Sequence, residues 1–137
     1  MINSYINSSK TLTTNTLLSF DINNILTGCT VTHVEGTPTF KLNKPGYYFV
    51  TFNGDAAGSA AAAGDITIQM LANGVEVPGA TATETAAEGS TVNLSFSRIV
   101  KVLPSCCSID NSQTLTFSNT GVGAIFSDAN VVITKLC

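Results

Sequence analysis

The fold class is decided by one stretch of the chain, Phe40-Lys-Leu-Asn-Lys-Pro-Gly-Tyr-Tyr-Phe-Val-Thr-Phe-Asn53. Two short runs of alternating apolar residues are joined here by Lys44-Pro45-Gly46, in which proline presets φ and glycine permits a turn. Successive side chains of a strand point to opposite faces, and here both faces are apolar. This pattern predicts a strand covered on both sides, inside a sandwich or at a subunit contact. It does not show which face packs in the core and which face contacts a neighbouring subunit. The two faces consist of Tyr47 with Phe49, and of Tyr48 with Val50 and Phe52.

The rest of the chain shows the same pattern of short alternating runs separated by turns. Turn signals such as Asn73-Gly74 and Pro78-Gly79 recur at short intervals between alternating runs, which is typical of an all-β sandwich or barrel. Asn73-Gly74 suits a two-residue type I′ hairpin. Two segments rich in small residues, Ala56–Gly64 and Ala80–Gly89, are expected to be loops. The predicted strands are Thr16–Ile22, Cys29–Val34, Thr39–Leu42, Tyr47–Asn53, Ile66–Ala72, Val75–Val77, Thr91–Val102, Gln113–Ser118 and Asn130–Leu136, with short additional strands over Thr81–Thr85 and Ala124–Phe126.

The composition indicates one folded, nearly uncharged domain. Of the 137 residues, 44% are hydrophobic and only 11% are charged, and the formal net charge is −3. This balance argues against disorder and gives no electrostatic reason to bind nucleic acid or an anionic membrane. No segment has the length of apolar sequence that a membrane-spanning helix needs. Low charge also favours burial of the surface against other copies of the chain.

The N-terminal residues Met1–Asn15 are polar and poor in apolar side chains. We expect them to form an arm that docks on a neighbour or a larger assembly, or a frayed terminus, preceding a domain over residues 16–137. The first residues lack the basic and apolar regions of a secretory signal. The chain is therefore expected to stay in the cytosol or to leave by particle assembly or cell lysis.

The four cysteines, Cys29, Cys106, Cys107 and Cys137, allow three pairings. A bond between the adjacent Cys106 and Cys107 would strain the peptide, so each would pair elsewhere if disulfides form. The alternative is that the thiols are reduced and buried. A zinc site is disfavoured because adjacent cysteines lack the spacing of metal ligands.

No catalytic or cofactor motif is present in the sequence. His33 is the only histidine, and we interpret it as a surface or hydrogen-bonded strand residue, since no G-x-S-x-G elbow accompanies it. The acidic residues are scattered singly at turns, without a calcium-loop pattern. The sequence thus predicts no enzyme activity, no metal and no cofactor. An alternative hypothesis is that the protein binds a surface glycan through the loops Gly54–Asp65 and Pro78–Ser90, although these loops carry no aromatic side chain on which a sugar could stack.

Two motifs follow one another, Phe40-x-Leu-x-x-Pro-Gly-Tyr-Tyr-x-Val-x-Phe52 and Ile68-x-Met-x-x-Asn-Gly-x-x-Val-Pro-Gly79. Together they resemble the jelly roll of complement globular heads and tumour necrosis factor-like domains. From about Asn15 onward, the chain also resembles small proteins of gut Firmicutes and their phages, which are similar to the C-terminal domains of collagen-like spore-surface glycoproteins. The further matching segments are Gly28-Cys29, Leu94-Ser-Phe-Ser97, Val100-x-Val-x-Pro-x-Cys-Cys107 and Val131-x-Ile-Thr-Lys-Leu-Cys137.

The resemblance implies a ten-strand jelly roll, a tight homotrimer and a structural, decorating or adhesive role without an active site. The Gly-X-Y stem usual before such heads is missing from Met1–Asn15. This favours a virion-surface component, assembled in the host cytoplasm, such as a capsid decoration or head-fibre protein. Its arm Met1–Asn15 would then dock on a capsid or other virion protein. The alternative is an adhesion, receptor-binding or glycan-binding module of a bacterial cell or spore surface or of a phage tail. The residues expected in the core or the trimer interface are Tyr47, Tyr48, Phe49, Val50, Phe52, Phe96 and Phe117.

Overall fold

The computed structural model describes residues 1–59, 64–87, 89–107 and 110–137. Within these ranges the chain forms twelve strands and no helix. The strands are β1 (Ile2–Tyr5), β2 (Lys10–Leu12), β3 (Thr16–Leu17), β4 (Ile22–Leu26), β5 (Val31–His33), β6 (Phe40–Leu42), β7 (Gly46–Gly58), β8 (Gly64–Ala72), β9 (Val75–Ala86), β10 (Thr91–Val102), β11 (Gln113–Asn119) and β12 (Ala124–Lys135).

The strands are arranged in two antiparallel sheets packed face to face. The first sheet has the order β10-β7-β12-β1-β4, with β2 also pairing β12. The second has the order β5-β6-β11-β8-β9, with β3 also pairing β11. The predicted all-β jelly-roll sandwich is confirmed, with twelve strands rather than ten in the described ranges, because β2 and β3 add short pairings beside longer strands.

The opening stretch contributes one strand to each sheet. The turn at Pro45 connects β6 in one sheet to β7 in the other, so the two apolar runs of the stretch cover opposite sides of the same core. Along β7, Tyr48, Val50 and Phe52 are buried, and Tyr47 and Phe49 face outward. The structure thus decides which face of β7 lies in the core, which the alternation alone left open. Burying a large side chain of this kind contributes about 1.5–3 kcal/mol.

Aromatic rings join the two sheets across the core. Phe117 of β11 lies 5.6 Å from Phe52 of β7 in a stacked arrangement, and Phe52 stacks in turn on Phe96 of β10 at 5.6 Å. Phe20 and Phe40 extend the cluster with edge-to-face contacts, which are favourable for aromatic pairs. The core is therefore continuous from the edge strand β10 to the β5 side.

The predicted hairpin at Asn73-Gly74 is present. Ala72 pairs with Val75, and both turn residues have positive φ, 49° for Asn73 and 79° for Gly74, as a type I′ turn requires. The long run of β10 also follows its predicted alternation, with Leu94, Val100 and Val102 buried.

The prediction of an N-terminal arm is wrong for this structure. Strand β1 lies inside the first sheet, between β12 and β4, and β2 pairs with β12. Ile2 is fully buried, and Ser4, also buried, donates a hydrogen bond to Asn23. The reason is that Ile2 and Ile6 lie on the same face as the hydrogen-bonded Ser4, so a polar-looking sequence still supplies one buried face.

Two other predictions are corrected. The predicted strand Thr16–Ile22 is divided, because β3 pairs with the second sheet and β4 with the first, so the chain crosses between sheets there. The predicted loop Ala80–Gly89 is largely the second half of β9. Its alternate small residues, including the buried Ala80 and Ala86, fill the core where a larger side chain would not fit. Of the predicted loop Ala56–Gly64, the first three residues belong to β7, Gly64 begins β8, and residues 60–63 lie outside the described ranges.

Candidate interaction surface

The outer face of the first sheet carries large apolar side chains that this chain leaves exposed. Tyr47 and Phe49 project from β7, and Ile99 lies directly opposite Phe49 on β10. Leu103 follows β10 on the same side, and Leu136 follows β12, where its N–H donates to the Tyr47 carbonyl at 2.7 Å. We call these five residues the apolar patch. Their exposed fractions are 42% for Tyr47, 38% for Phe49, 53% for Ile99, 63% for Leu103 and 53% for Leu136.

Lys101 is a cation at the margin of the patch, and Arg98 and Lys135 lie nearby. Lys101 pairs with Tyr47 across the β10–β7 ladder, and its ammonium nitrogen lies 5.6 Å from the centre of the tyrosine ring. At this distance a cation is attracted to the face of an aromatic ring. The lysine stem can cover apolar surface while its charge remains at the margin.

Beyond the patch, the outer face of β7 and β10 is polar and almost neutral. Asn53 lies opposite Ser95, and Thr51 lies opposite Ser97. The Asn93 side-chain amide donates to the side-chain oxygens of Asn53 at 2.9 Å and Asp55 at 2.8 Å. The Asn93 amide is thus satisfied within the sheet, and the Asp55 carboxylate is a charge that a cover over this part of the face would have to accommodate.

A second surface with exposed apolar residues borders the patch at the edge where β9 and β10 run side by side, and it shares Ile99 with the patch. Val75 at the start of β9 is 69% exposed, and it lines a groove together with Pro78 and Ile99 and with the charged residues Glu76, Arg98 and Lys101. The β8–β9 register shifts here between Gln69 and Leu71. The buried Gln69 side chain fills the irregularity by donating to the carbonyls of Met70, Val77 and Ala80. The Gln69 amide nitrogen is therefore satisfied, whereas the buried Gln113 Oε1 of the same groove has no hydrogen-bond partner among the described residues.

The outer face of the second sheet differs in chemistry. Thr67 of β8 and Thr83 of β9 pair across the ladder, with their hydroxyl oxygens 2.9 Å apart. Thr85 donates to the Asp65 carboxylate at 2.6 Å. Short hydroxyl-bearing side chains of this kind remain solvated, so this face resembles an ordinary solvent-facing sheet.

The seven predicted core or interface residues divide between the two roles. Tyr48, Val50, Phe52 and Phe117 are buried in the core, and Phe96 is partly buried against Phe52 and Phe117. Tyr47 and Phe49 remain on the outer surface. The sequence reasoning missed Ile99 and Leu136, although each is an apolar residue at an outward position of its run, which is the signal that would have identified them.

His33 is a buried, hydrogen-bonded side chain on β5. Its ring stacks on Phe40 with centroids 4.3 Å apart. Nδ1 lies 2.7 Å from the Asn23 side-chain oxygen, and Nε2 lies 2.8 Å from the Thr37 carbonyl oxygen. Burial lowers the pKa of His33, and the Thr37 carbonyl and the Glu35 carboxylate oppose this shift. The ring is engaged on both nitrogens, as expected of a structural histidine.

The predicted burial of the cysteines is not observed, and the single chain has no internal disulfide between them. All four thiols are free and exposed. The sulfur atoms of Cys106 and Cys107 lie 3.4 Å apart, which is a contact and not a bond. The cysteines lie in connecting segments and at the C-terminus, where the opposite sheet does not pack over them.

The two predicted glycan-binding loops do not form as loops over most of their described length. Gly54–Gly58 belongs to β7, and Pro78–Ala86 belongs to β9. Residues 60–63 and 88 lie outside the described ranges. Elsewhere in the described chain, no group of three His, Cys, Asp or Glu side chains is placed to hold a metal ion. The described residues also contain no helix that is long and apolar enough to cross a membrane.

Comparison with known proteins identifies the fold through structure alone. No family model matches the chain, and no curated protein matches it. The globular domain of the zebrafish complement 1qA protein superposes with a TM-score of 0.62 at 10% identity, covering 93% of each chain. The PRD1 vertex protein P5 gives a TM-score of 0.57 at 14% identity, covering 99% of this chain and 96% of that one.

Murine APRIL, in a crystal structure determined at pH 5.0, gives a TM-score of 0.57 at 7% identity, with 98% of each chain covered. At such identities the likeness shows the fold. The jelly roll predicted from the resemblance to complement globular heads and tumour necrosis factor-like domains is confirmed.

Proposed function

We propose that this chain is a non-enzymatic structural subunit that assembles as a homotrimer on the surface of a virion. The observation that carries the proposal is the apolar patch. It lies on the outside of a sandwich whose core is already complete, so folding of one chain gives it nothing to pack against. A structural subunit has a use for such a surface, namely association with further copies.

The chemistry of the surrounding surface supports burial of the patch. Contiguous apolar surface is uncommon on soluble monomers and marks interaction sites. The centres of interfaces are depleted in charge, and here the neighbouring positions are Thr51, Ser97 and Thr134, which carry none. The ammonium group of Lys101 lies at the margin and can remain solvated.

A closed ring of three is supported by the presence of two different surfaces with exposed apolar residues on each chain. Head-to-tail association requires that one surface of a subunit meet a second, different surface of its neighbour. The apolar patch and the groove beside Val75 and Pro78 provide such a pair on adjoining parts of the molecule. The family resemblance of the sequence likewise implies a trimer.

The virion location is proposed from the resemblance to phage structural proteins, and a vertex protein is among the proteins of similar fold. Attachment through a free N-terminal arm is not part of this proposal, since β1 and β2 are integrated in the first sheet. The subunit would therefore be held on the particle by the surface of the assembled trimer.

Light scattering of the purified full chain at micromolar concentration tests the assembly. We expect a mass three times that of the 14.2 kDa chain. A monomer would contradict the proposed trimer. Immuno-electron microscopy of particles released from the source culture tests the location separately, and unlabelled particles would contradict the virion role while leaving the trimer in place.

A further inference from the structure

The four exposed cysteines lie at one end of the sandwich, although they come from three separate segments. The connection between β6 and β7 holds these segments together. The Asn43 side chain donates to the Cys29 carbonyl at 3.0 Å, and the Tyr47 N–H donates to the Cys137 carbonyl at 3.1 Å. Val102 pairs with Gly46, and Cys106 follows four residues later, a span of at most about 14 Å. We call this end the cysteine pole.

The cysteine pole adjoins the apolar patch. Leu136 of the patch immediately precedes Cys137, and Leu103 lies three residues before Cys106. Free cysteine is usually among the most buried residues, so the exposure of all four thiols next to a surface of this kind is unusual. A contact between copies of the chain that covers the patch would lie next to their cysteine poles.

We propose that the cysteine pole locks the oligomer covalently, through a ring of disulfides in which Cys106 of each subunit bonds Cys107 of the next. The proposal rests on the trimer proposed above. Threefold symmetry places three identical poles at the same end of the assembly. A cysteine that bonds its own copy can link only two chains, so a covalently closed ring of three needs two different cysteines.

Cys106 and Cys107 meet this requirement at one place. Their sulfurs are 3.4 Å apart on one exposed segment, so each subunit can offer one sulfur to each of its two neighbours. A metal-binding role is less well supported, since no third ligand of the required type is grouped with them in the described chain. Each bond forms when two thiols transfer two protons and two electrons to oxidised glutathione, which leaves as two molecules of reduced glutathione.

The lock would act after assembly. Thiols stay reduced in a cytosol and oxidise outside cells, so subunits could assemble reversibly before release and become fixed afterwards. The strength of the noncovalent contact would then matter during assembly, and the disulfides would matter on the released particle.

The test is denaturing, non-reducing electrophoresis of the full chain after incubation with oxidised glutathione. We expect a covalent trimer that reducing agent converts to monomer. Cys106→Ser and Cys107→Ser should each abolish the trimer band, and the matched control Cys29→Ser/Cys137→Ser should retain it. The assignment is overturned by a trimer band that persists in Cys106→Ser. It is equally overturned if the wild-type chain remains monomeric on the gel. This holds both for a fully reduced chain and for a chain that has formed a disulfide within itself.

A variant with all four cysteines replaced by serine separates this inference from the proposed function. If light scattering finds this variant trimeric and the wild type forms no covalent trimer, the disulfide ring is refuted and the trimer stands. If the variant is monomeric while the wild type forms the covalent trimer, the ring is supported and noncovalent assembly through the patch is refuted.

Discussion

The outer face of the first sheet carries aromatic and large aliphatic side chains, whereas the outer face of the second carries threonine hydroxyls. Both are built on antiparallel ladders above the same core. Phe49 faces Ile99 across one ladder, and Thr67 faces Thr83 across the other. The threonine hydroxyls of the second face are paired or solvated. The first leaves apolar area in contact with water, and so it is the face that gains free energy from a partner.

The largest expected effect comes from placing a charge in the patch. Phe49→Lys should convert the trimer to monomer, because it removes part of a burial contribution of about 1.5–3 kcal/mol per subunit and places a charge in an apolar contact. Light scattering in the presence of a reducing agent, which keeps the thiols from forming disulfides, measures the mass. The matched control Thr83→Lys adds the same charge to the second face and should leave the trimer intact. If Phe49→Lys remained trimeric, the two faces would not differ in the way proposed.

A smaller effect, on stability, distinguishes the two sides of β7. Tyr48→Ala should lower the free energy of unfolding by about 3–5 kcal/mol, since it empties a core position. Tyr47→Ala, studied in the monomeric Phe49→Lys background, should change it by less than about 1 kcal/mol, because the ring lies on the surface. Urea denaturation measures both. Comparable losses would show that the outward face contributes to the core of the single chain.

Acidification should affect the fold through the second sheet while leaving the patch itself unchanged. The folded state lowers the pKa of His33, so the unfolded chain binds its proton more readily. The contribution of His33 to stability is therefore present above its unfolded pKa, near 6.5, and declines as the pH falls below it. Unfolding free energies measured between about pH 7 and about pH 5.5 should decrease.

His33→Gln should have a flatter dependence over the same range, whatever its stability at neutral pH. An unchanged slope in this variant would assign the pH dependence to other groups.

The smallest effect is expected on the threonine face. Thr83→Val removes the hydroxyl contact with Thr67 but keeps the shape of the side chain. Cross-strand pairs of this type contribute about 0.2–1 kcal/mol, so the unfolding midpoint in urea should move only slightly. The assembly state should not change. A loss of several kcal/mol would mean that the second face is structurally as important as the first.

The central part of the fold could be predicted from local patterns. Alternation in the Phe40–Asn53 stretch and in Thr91–Val102 placed β7 and β10, and Asn73-Gly74 placed a hairpin, because these signals depend on neighbouring residues alone. The N-terminal strands were missed because β1 is short and polar on one face. Its place between β12 and β4 depends on pairing with residues more than a hundred positions away.

The candidate surface was predicted only in part for a similar reason. Tyr47 and Phe49 were identified together with Tyr48, Val50 and Phe52 as alternatives for the interface, and alternation treats both sets equally. Ile99 was missed because its run reads as polar on that side. The exposure of the cysteines was missed as well, since spacing along the chain does not show which segments meet at one end of the sandwich.

The sequence by itself determined that the chain forms an all-β sandwich, that β7 is apolar on both faces, and that no recognisable catalytic motif is present. These properties follow from the period of the side chains and the chemistry of single residues. Only the tertiary structure decided that Tyr48 lies in the core and Tyr47 outside, that Ile99 and Leu136 complete the patch, and that the four cysteines share one end. The physical reason is that a strand has two equivalent faces until a second sheet packs on one of them.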